Sequence, residues 1–119
     1  MRCSVVRELF RLVRSKTLTL DDFKSQGALG NRMRWNRNDP DAVRRWNDGV
    51  SVFDDFDHAC EVAGRNGLRW IATIALESPS RFEVSHYGKD RYHYTIFGEP
   101  ADLLVLVSDV RAVPRVPRE

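Results

Sequence analysis

The sequence of 119 residues contains only two cysteines, Cys3 and Cys60, and no long apolar run. Two cysteines without CxxC spacing exclude a secreted disulfide framework and a thiolate metal or redox motif. The longest apolar stretch, residues 103–107, is far shorter than the ~18 residues of a membrane span and is too short for a signal-peptide core. We therefore expect a cytoplasmic protein without a membrane partner.

Several cofactor-binding and catalytic motifs are absent as well. The sequence has neither GxGxxG nor GxxxxGK[ST], so it does not support classical dinucleotide or P-loop sites. It has no HExxH and no zinc-deaminase signature, and residues 54–57 (DDFD) lack the glycine and distal glutamate of a calcium loop. The sequence predicts no cofactor and no metal site, and it does not reveal the function directly.

The charged residues are distributed unevenly along the chain. Residues 1–45 hold eleven lysines and arginines against five acids, whereas residues 46–119 hold eight against twelve. Sixteen of the nineteen basic residues are arginine, whose planar fork suits phosphate and carboxylate better than the lysine ammonium does. Arginine-rich composition also follows from high-GC coding, so this bias has two explanations.

The residue pattern predicts one α+β domain over residues 1–113 and a flexible tail over residues 114–119, a size typical of single domains. We expect N-terminal helices packed on a small antiparallel or mixed sheet. The predicted helices are 4–16, a short one after Thr19 that ends by Gly27, one from Pro40 to Gly49, one that Asp54 or Asp55 caps and Asn66-Gly67 stops, and 101–105, with a loop over 28–39. The predicted strands are 50–53, 68–76 as a central strand, 82–87 and 92–97 as a hairpin, and 107–113.

An arginine- and tryptophan-rich segment, residues 32–46, is the closest approach to a nucleic-acid signal. Arginine neutralises phosphates, and a tryptophan ring stacks on an unpaired base. The candidate anion-binding residues are Arg32, Arg34, Trp35, Arg37, Arg44 and Arg45. In the structural alternative, Trp35 and Trp46 anchor the core and the arginines only solvate the loop.

The predicted hairpin carries two histidines that are weak candidates for catalysis. If its loop has four residues, His86 faces His93 and Tyr87 faces Tyr92, with Cβ atoms ~4.5–5.5 Å apart. Two such imidazoles can act as an acid–base pair or as two metal ligands. A loop of a different length gives the histidines different partners, and His/Tyr-rich strands are common on half-exposed sheets.

Two stretches resemble a family of short, uncharacterised bacterial proteins. Residues 49–53 (GVSVF) match a G-[IV]-S-V-[FY] strand, and residues 93–100 (HYTIFGEP) match an H-Y-T-x-[WF]-G-[DE]-P turn. The resemblance covers residues 46–113 and implies a bacterial or phage origin without an activity. A serine-bearing strand before a twisted sheet is also similar to small ADP-ribosyltransferase-type toxin domains, but no catalytic triad aligns and no residue is carried over.

Three classes of function follow from these patterns. The first is a small intracellular binding or interaction module of bacterial or phage origin, toxin–antitoxin-like or an accessory protein, with a protein partner or a homo-oligomer. The second is nucleic-acid or nucleotide binding through segment 32–46. The third is a small enzyme, ADP-ribosyltransferase-like or histidine-dependent, that uses the 82–97 hairpin; small size and missing catalytic motifs favour the first class over this one.

Overall fold

The computed structural model describes residues 6–77 and 80–114, which form one six-stranded sheet and three α-helices. The strands are β1 (Val6–Val13), β2 (Gly49–Phe53), β3 (Trp70–Glu77), β4 (Glu83–His86), β5 (His93–Phe97) and β6 (Val107–Ala112). The helices are α1 (Pro40–Asp48), α2 (Phe56–Arg65) and α3 (Pro100–Leu104), and a 3₁₀ helix covers Leu20–Phe23. No helix in the described parts of the chain is long and apolar enough to cross a membrane.

The sheet is antiparallel throughout, with strand order β4-β5-β2-β1-β3-β6. The α+β class and the antiparallel sheet are therefore confirmed. The helices, however, are distributed along the chain and are not N-terminal. Cys3 and residues 115–119 of the predicted tail lie outside the described residues.

The predicted helix over residues 4–16 is wrong, because Val6–Val13 is strand β1 near the middle of the sheet. Leu9 and Val13 pack into the cluster on one sheet face, while Phe10 and Leu12 contact the cluster on the other. A strand with both faces covered has no simple alternation of apolar and polar residues. Its apolar residues at consecutive positions therefore resemble the wide stripe of a helix.

Each face of the sheet is covered by different helices. On the first face, Phe23 of the 3₁₀ helix and Leu103 of α3 are fully buried over the sheet cluster of Leu9, Val52 and Ile74. On the second face, helix α2 packs on the sheet through small residues, including Ala59 and Ala63. Helix α1 packs on the second face over β2 and β5.

Residues 49–53 form strand β2, and residues 93–97 of the HYTIFGEP stretch form its neighbour β5. Strand β2 pairs with β5 from Gly49–Phe97 to Phe53–His93. A Cβ on Gly49 would lie 2.3 Å from the Thr95 methyl carbon and 2.9 Å from the Arg45 carbonyl oxygen. The backbone φ of Gly49, −108°, is accessible to any residue, so its conformation does not require glycine. The close approach of α1 to β5 does, because it leaves no space for a Cβ.

We predict that Gly49→Ala lowers the free energy of unfolding by about 1–3 kcal/mol, because the added methyl group overpacks this contact. Gly64→Ala is the matched control: Gly64 lies in helix α2 with no atom within 4 Å of an added Cβ. This control variant is expected to be about 0.5–1 kcal/mol more stable than the parent, since alanine is the better helix former. Urea denaturation of both variants checks the prediction, and equal effects of the two substitutions would contradict it.

Candidate functional site

A cleft of about 270 Å³ lies on the second sheet face, between helix α1, strand β2, the β4–β5 hairpin and the irregular segment 24–36. Its cationic lining residues are Arg11, Lys24, Arg34 and Arg45. Its aromatic lining residues are Trp35, Trp46, Tyr87 and His93. The cleft therefore brings part of the predicted arginine–tryptophan segment together with the predicted hairpin.

The two tryptophans of the segment have different roles. The Trp46 indole Nε1 donates to the Asn31 carbonyl at 3.0 Å, and the Gly27 N–H donates to the Trp46 carbonyl at 2.8 Å. Trp46 thus anchors segment 24–36 to helix α1. Trp35 is 74% exposed at the edge of the cleft, so it is not a core anchor. Its indole ring is accessible to a ligand.

Arg45 is a structural arginine at the base of the cleft, with 12% of its side chain exposed. Nε contacts Asp41 Oδ2 at 2.9 Å, Nη1 donates to Thr95 Oγ1 at 2.8 Å, and Nη2 donates to Ser85 Oγ at 2.9 Å. The guanidinium also lies over the Tyr87 ring, 4.6 Å from its centroid. These contacts hold α1 on the hairpin and occupy most donors of Arg45.

Arg44 points to a different surface, outside the cleft. Its guanidinium forms a bidentate pair with Glu83 at 2.7 and 2.9 Å and lies over the Phe97 ring at 3.9 Å. This hydrogen-bonded pairing raises the pKa of Arg44 and lowers the pKa of Glu83. Arg32 and Arg37 are exposed and do not line the cleft. Of the six predicted anion-binding residues, the cleft contains Arg34, Trp35 and Arg45.

Arg11 belongs to the site, although the sequence pattern did not identify it. In the described part of the chain, strands β1 and β2 share a single residue pair, Phe10 and Phe53. The Arg11 guanidinium lies beside this short pairing and donates to the Ser51 carbonyl at 2.9 Å and to the Asp22 carbonyl at 3.0 Å. Burial lowers the pKa of Arg11 to about 10, so it stays protonated at neutral pH.

The predicted facing of the two histidines is wrong. The hairpin register pairs His86 with Tyr94 and Ser85 with Thr95. The loop therefore has five residues, 88–92, and the Tyr87 N–H donates to the His93 carbonyl at 3.1 Å. Because neighbouring residues of a strand point to opposite faces, His86 and His93 lie on opposite faces of the sheet. His93 lines the cleft; His86 does not.

Asp90 fixes the longer hairpin loop. Its carboxylate accepts from the Tyr92 N–H at 2.9 Å and contacts His58 Nε2 at 2.6 Å, while its carbonyl contacts His86 Nε2 at 2.9 Å. Desolvation opposes ionisation of Asp90, but the Tyr92 hydrogen bond and the nearby His58 and His93 outweigh it and lower the pKa of Asp90. His58 thus secures the hairpin to helix α2.

The electrostatic character of the cleft follows from its lining. Within the described part of the chain, four arginine or lysine side chains line the cleft, and no aspartate or glutamate does. Asp21 pairs with Lys24 at 2.7 Å and Asp41 pairs with Arg45, whereas no carboxylate of the described residues lies within 4.0 Å of the Arg34 or Arg11 guanidinium nitrogens. The cleft therefore favours an anionic ligand.

The chain was compared with known protein families, curated proteins and solved structures, and none of them matches it. The class of the site is therefore defined by geometry alone: it is an anion-attracting cleft with an exposed aromatic ring.

Proposed function

We propose that this protein binds a nucleotide-type ligand, an aromatic base that carries phosphate, in the cleft. The observation that carries the proposal is the combination of a cationic lining free of carboxylates, among the described residues, with the exposed ring of Trp35. Phosphate satisfies the cations, and a base has a flat face that stacks on indole.

The size of the cleft agrees with a small ligand. Its volume of about 270 Å³ is close to the lower end of small-molecule sites, which are about 300–1,000 Å³. Arg34 lines the cleft and would contact phosphate directly. Arg11 would add the guanidinium donors that the Asp22 and Ser51 carbonyls do not use. Arg45 would instead position Thr95 and Tyr87, since its own donors are largely engaged.

The other two classes of function remain untested hypotheses with less support. A toxin–antitoxin-like interaction module predicts an exposed apolar patch. Leu20, Leu29, Trp35 and Val105 are the exposed large apolar residues of the described chain, and Trp35 belongs to the cleft. The hypothesis of a histidine-dependent enzyme loses support, because His86 and His93 do not face each other. An ADP-ribosyltransferase-like activity would use the same cleft for NAD.

The test is a titration of intrinsic tryptophan fluorescence with AMP, UMP and NAD at low salt. We predict that Arg34→Glu weakens nucleotide binding about five- to tenfold, because the reversed charge repels phosphate at the edge of the cleft. Raising the salt concentration should weaken nucleotide binding to the parent protein more than to this variant. Salt screens the attraction between Arg34 and phosphate, and the variant no longer has that attraction.

Arg37→Glu is the matched control, with the same charge change three residues away and outside the cleft. It should change the affinity less than twofold. Equal losses in the two variants would show a diffuse surface effect, and an absence of nucleotide binding in the parent protein would overturn the proposal. NAD binding much tighter than AMP binding would favour the ADP-ribosyltransferase hypothesis.

A further inference from the structure

A second, larger groove of about 830 Å³ lies beside the cleft, along the end of strand β1. The two cavities share Arg11, Gln26, Ser51 and His93 in their linings. These four residues therefore border both cavities. The arrangement accommodates a ligand longer than one nucleotide.

The groove carries its own cation, Arg14, which follows strand β1 and does not line the cleft. Arg11 and Arg14 both line the groove and are three residues apart, so their Cα atoms are at most about 11 Å apart. Two cations at this spacing, one at the boundary and one beyond it, can contact successive anionic groups of one ligand.

The acids of the groove are engaged by neighbouring groups. Asp21 Oδ1 pairs with the Lys24 ammonium at 2.7 Å. Asp22 Oδ2 accepts from the Thr19 N–H at 2.8 Å and lies 3.4 Å from Thr19 Oγ1. The Lys24 ammonium offsets the charge of Asp21, so that a phosphate beside Arg14 meets less repulsion from that carboxylate.

We infer that the ligand is a single-stranded nucleic acid, which places one base on Trp35 in the cleft and continues across Arg11 and His93 to Arg14. This inference rests on the proposed function and adds the polymeric nature and the path of the ligand. A single strand fits because its unpaired base can stack on the exposed indole, whereas a duplex keeps its bases paired. RNA and DNA share this chemistry.

The experiment measures fluorescence anisotropy of labelled oligonucleotides, dT and rU, of two, four and eight nucleotides, with unlabelled UMP and dTMP titrated by tryptophan fluorescence. We expect affinity to rise at least tenfold from the mononucleotide to the tetranucleotide and then to level off. The dependence of log affinity on log salt should steepen by ~0.7 for each additional phosphate contact. Comparison of the dT series with the rU series shows whether the protein binds DNA or RNA more tightly.

The decisive variant is Arg14→Glu. It should weaken tetranucleotide binding at least fivefold and leave mononucleotide binding unchanged, while Arg37→Glu affects neither ligand. If mononucleotides bind but length and Arg14→Glu have no effect, the inference is overturned and the proposed function stands. If neither mononucleotides nor oligonucleotides bind, the proposed function itself is wrong. Circular dichroism of each variant confirms that it is folded before binding is compared.

Discussion

Arg45→Ala is expected to lower the free energy of unfolding by about 2–4 kcal/mol, because it removes a mostly buried, multiply hydrogen-bonded charge. The variant leaves the Thr95 hydroxyl, on a residue only 3% exposed, without its Arg45 donor. It also removes the Nη2 hydrogen bond to Ser85 and the stacking on Tyr87. Urea denaturation followed by circular dichroism measures the loss.

Arg44→Ala is the matched control, since the two arginines are adjacent on helix α1. Arg44 makes a bidentate ion pair with Glu83, but both side chains are about half exposed, and exposed pairs contribute little to stability. The Arg44→Ala variant should therefore lose clearly less stability than the Arg45→Ala variant. If the Arg44 variant is the less stable of the two, the structural role of Arg45 in joining α1 to the hairpin is wrong.

Local sequence signals predicted most helix and strand positions after residue 18. Helix α1 begins where Asp39 precedes Pro40, and the Asp39 side chain accepts from the Asp41 and Ala42 N–H groups. Helix α2 begins after Asp55, whose side chain accepts from the His58 N–H. Such capping depends on residues within one turn of each other, so the sequence is sufficient to predict it.

Strand β1 and the hairpin register were not predictable in the same way. The apolar residues of β1 are divided between two sheet faces, and only the distant strands and helices determine which residues each face receives. The length of the hairpin loop depends on Asp90, whose carboxylate contacts His58 from helix α2, 32 residues away in the sequence. Contacts between residues far apart in sequence leave no local pattern.

The candidate site was half predictable. Arg34 and Trp35 were identified because arginine beside tryptophan is an unusual local composition, and both lie at the cleft. Arg11 was missed, although a charged residue inside the apolar run Leu9–Val13 was a usable signal: a cation in such a strand needs specific partners. The Ser51 and Asp22 carbonyls supply these partners, and only the tertiary structure brings them together.

Trp35→Ala is expected to weaken binding of the nucleotide-type ligand between about 5-fold and about 150-fold, because stacking of a base on an aromatic side chain contributes about 1–3 kcal/mol. Trp35 is 74% exposed and belongs to neither hydrophobic core cluster, so its substitution removes no core packing. Stability should therefore be nearly unchanged. A nucleotide titration followed by isothermal calorimetry measures affinity independently of tryptophan emission.

Two controls separate stacking from a general loss of apolar surface. Trp35→Phe keeps an aromatic face and should retain most of the affinity, whereas Val105→Ala removes an apolar side chain that is 78% exposed and outside the cleft. The Val105 variant should bind like the parent protein. If Trp35→Phe loses as much affinity as Trp35→Ala, or if neither loses any, the ligand does not stack on this ring. The cationic lining would then act on an anion that has no aromatic base.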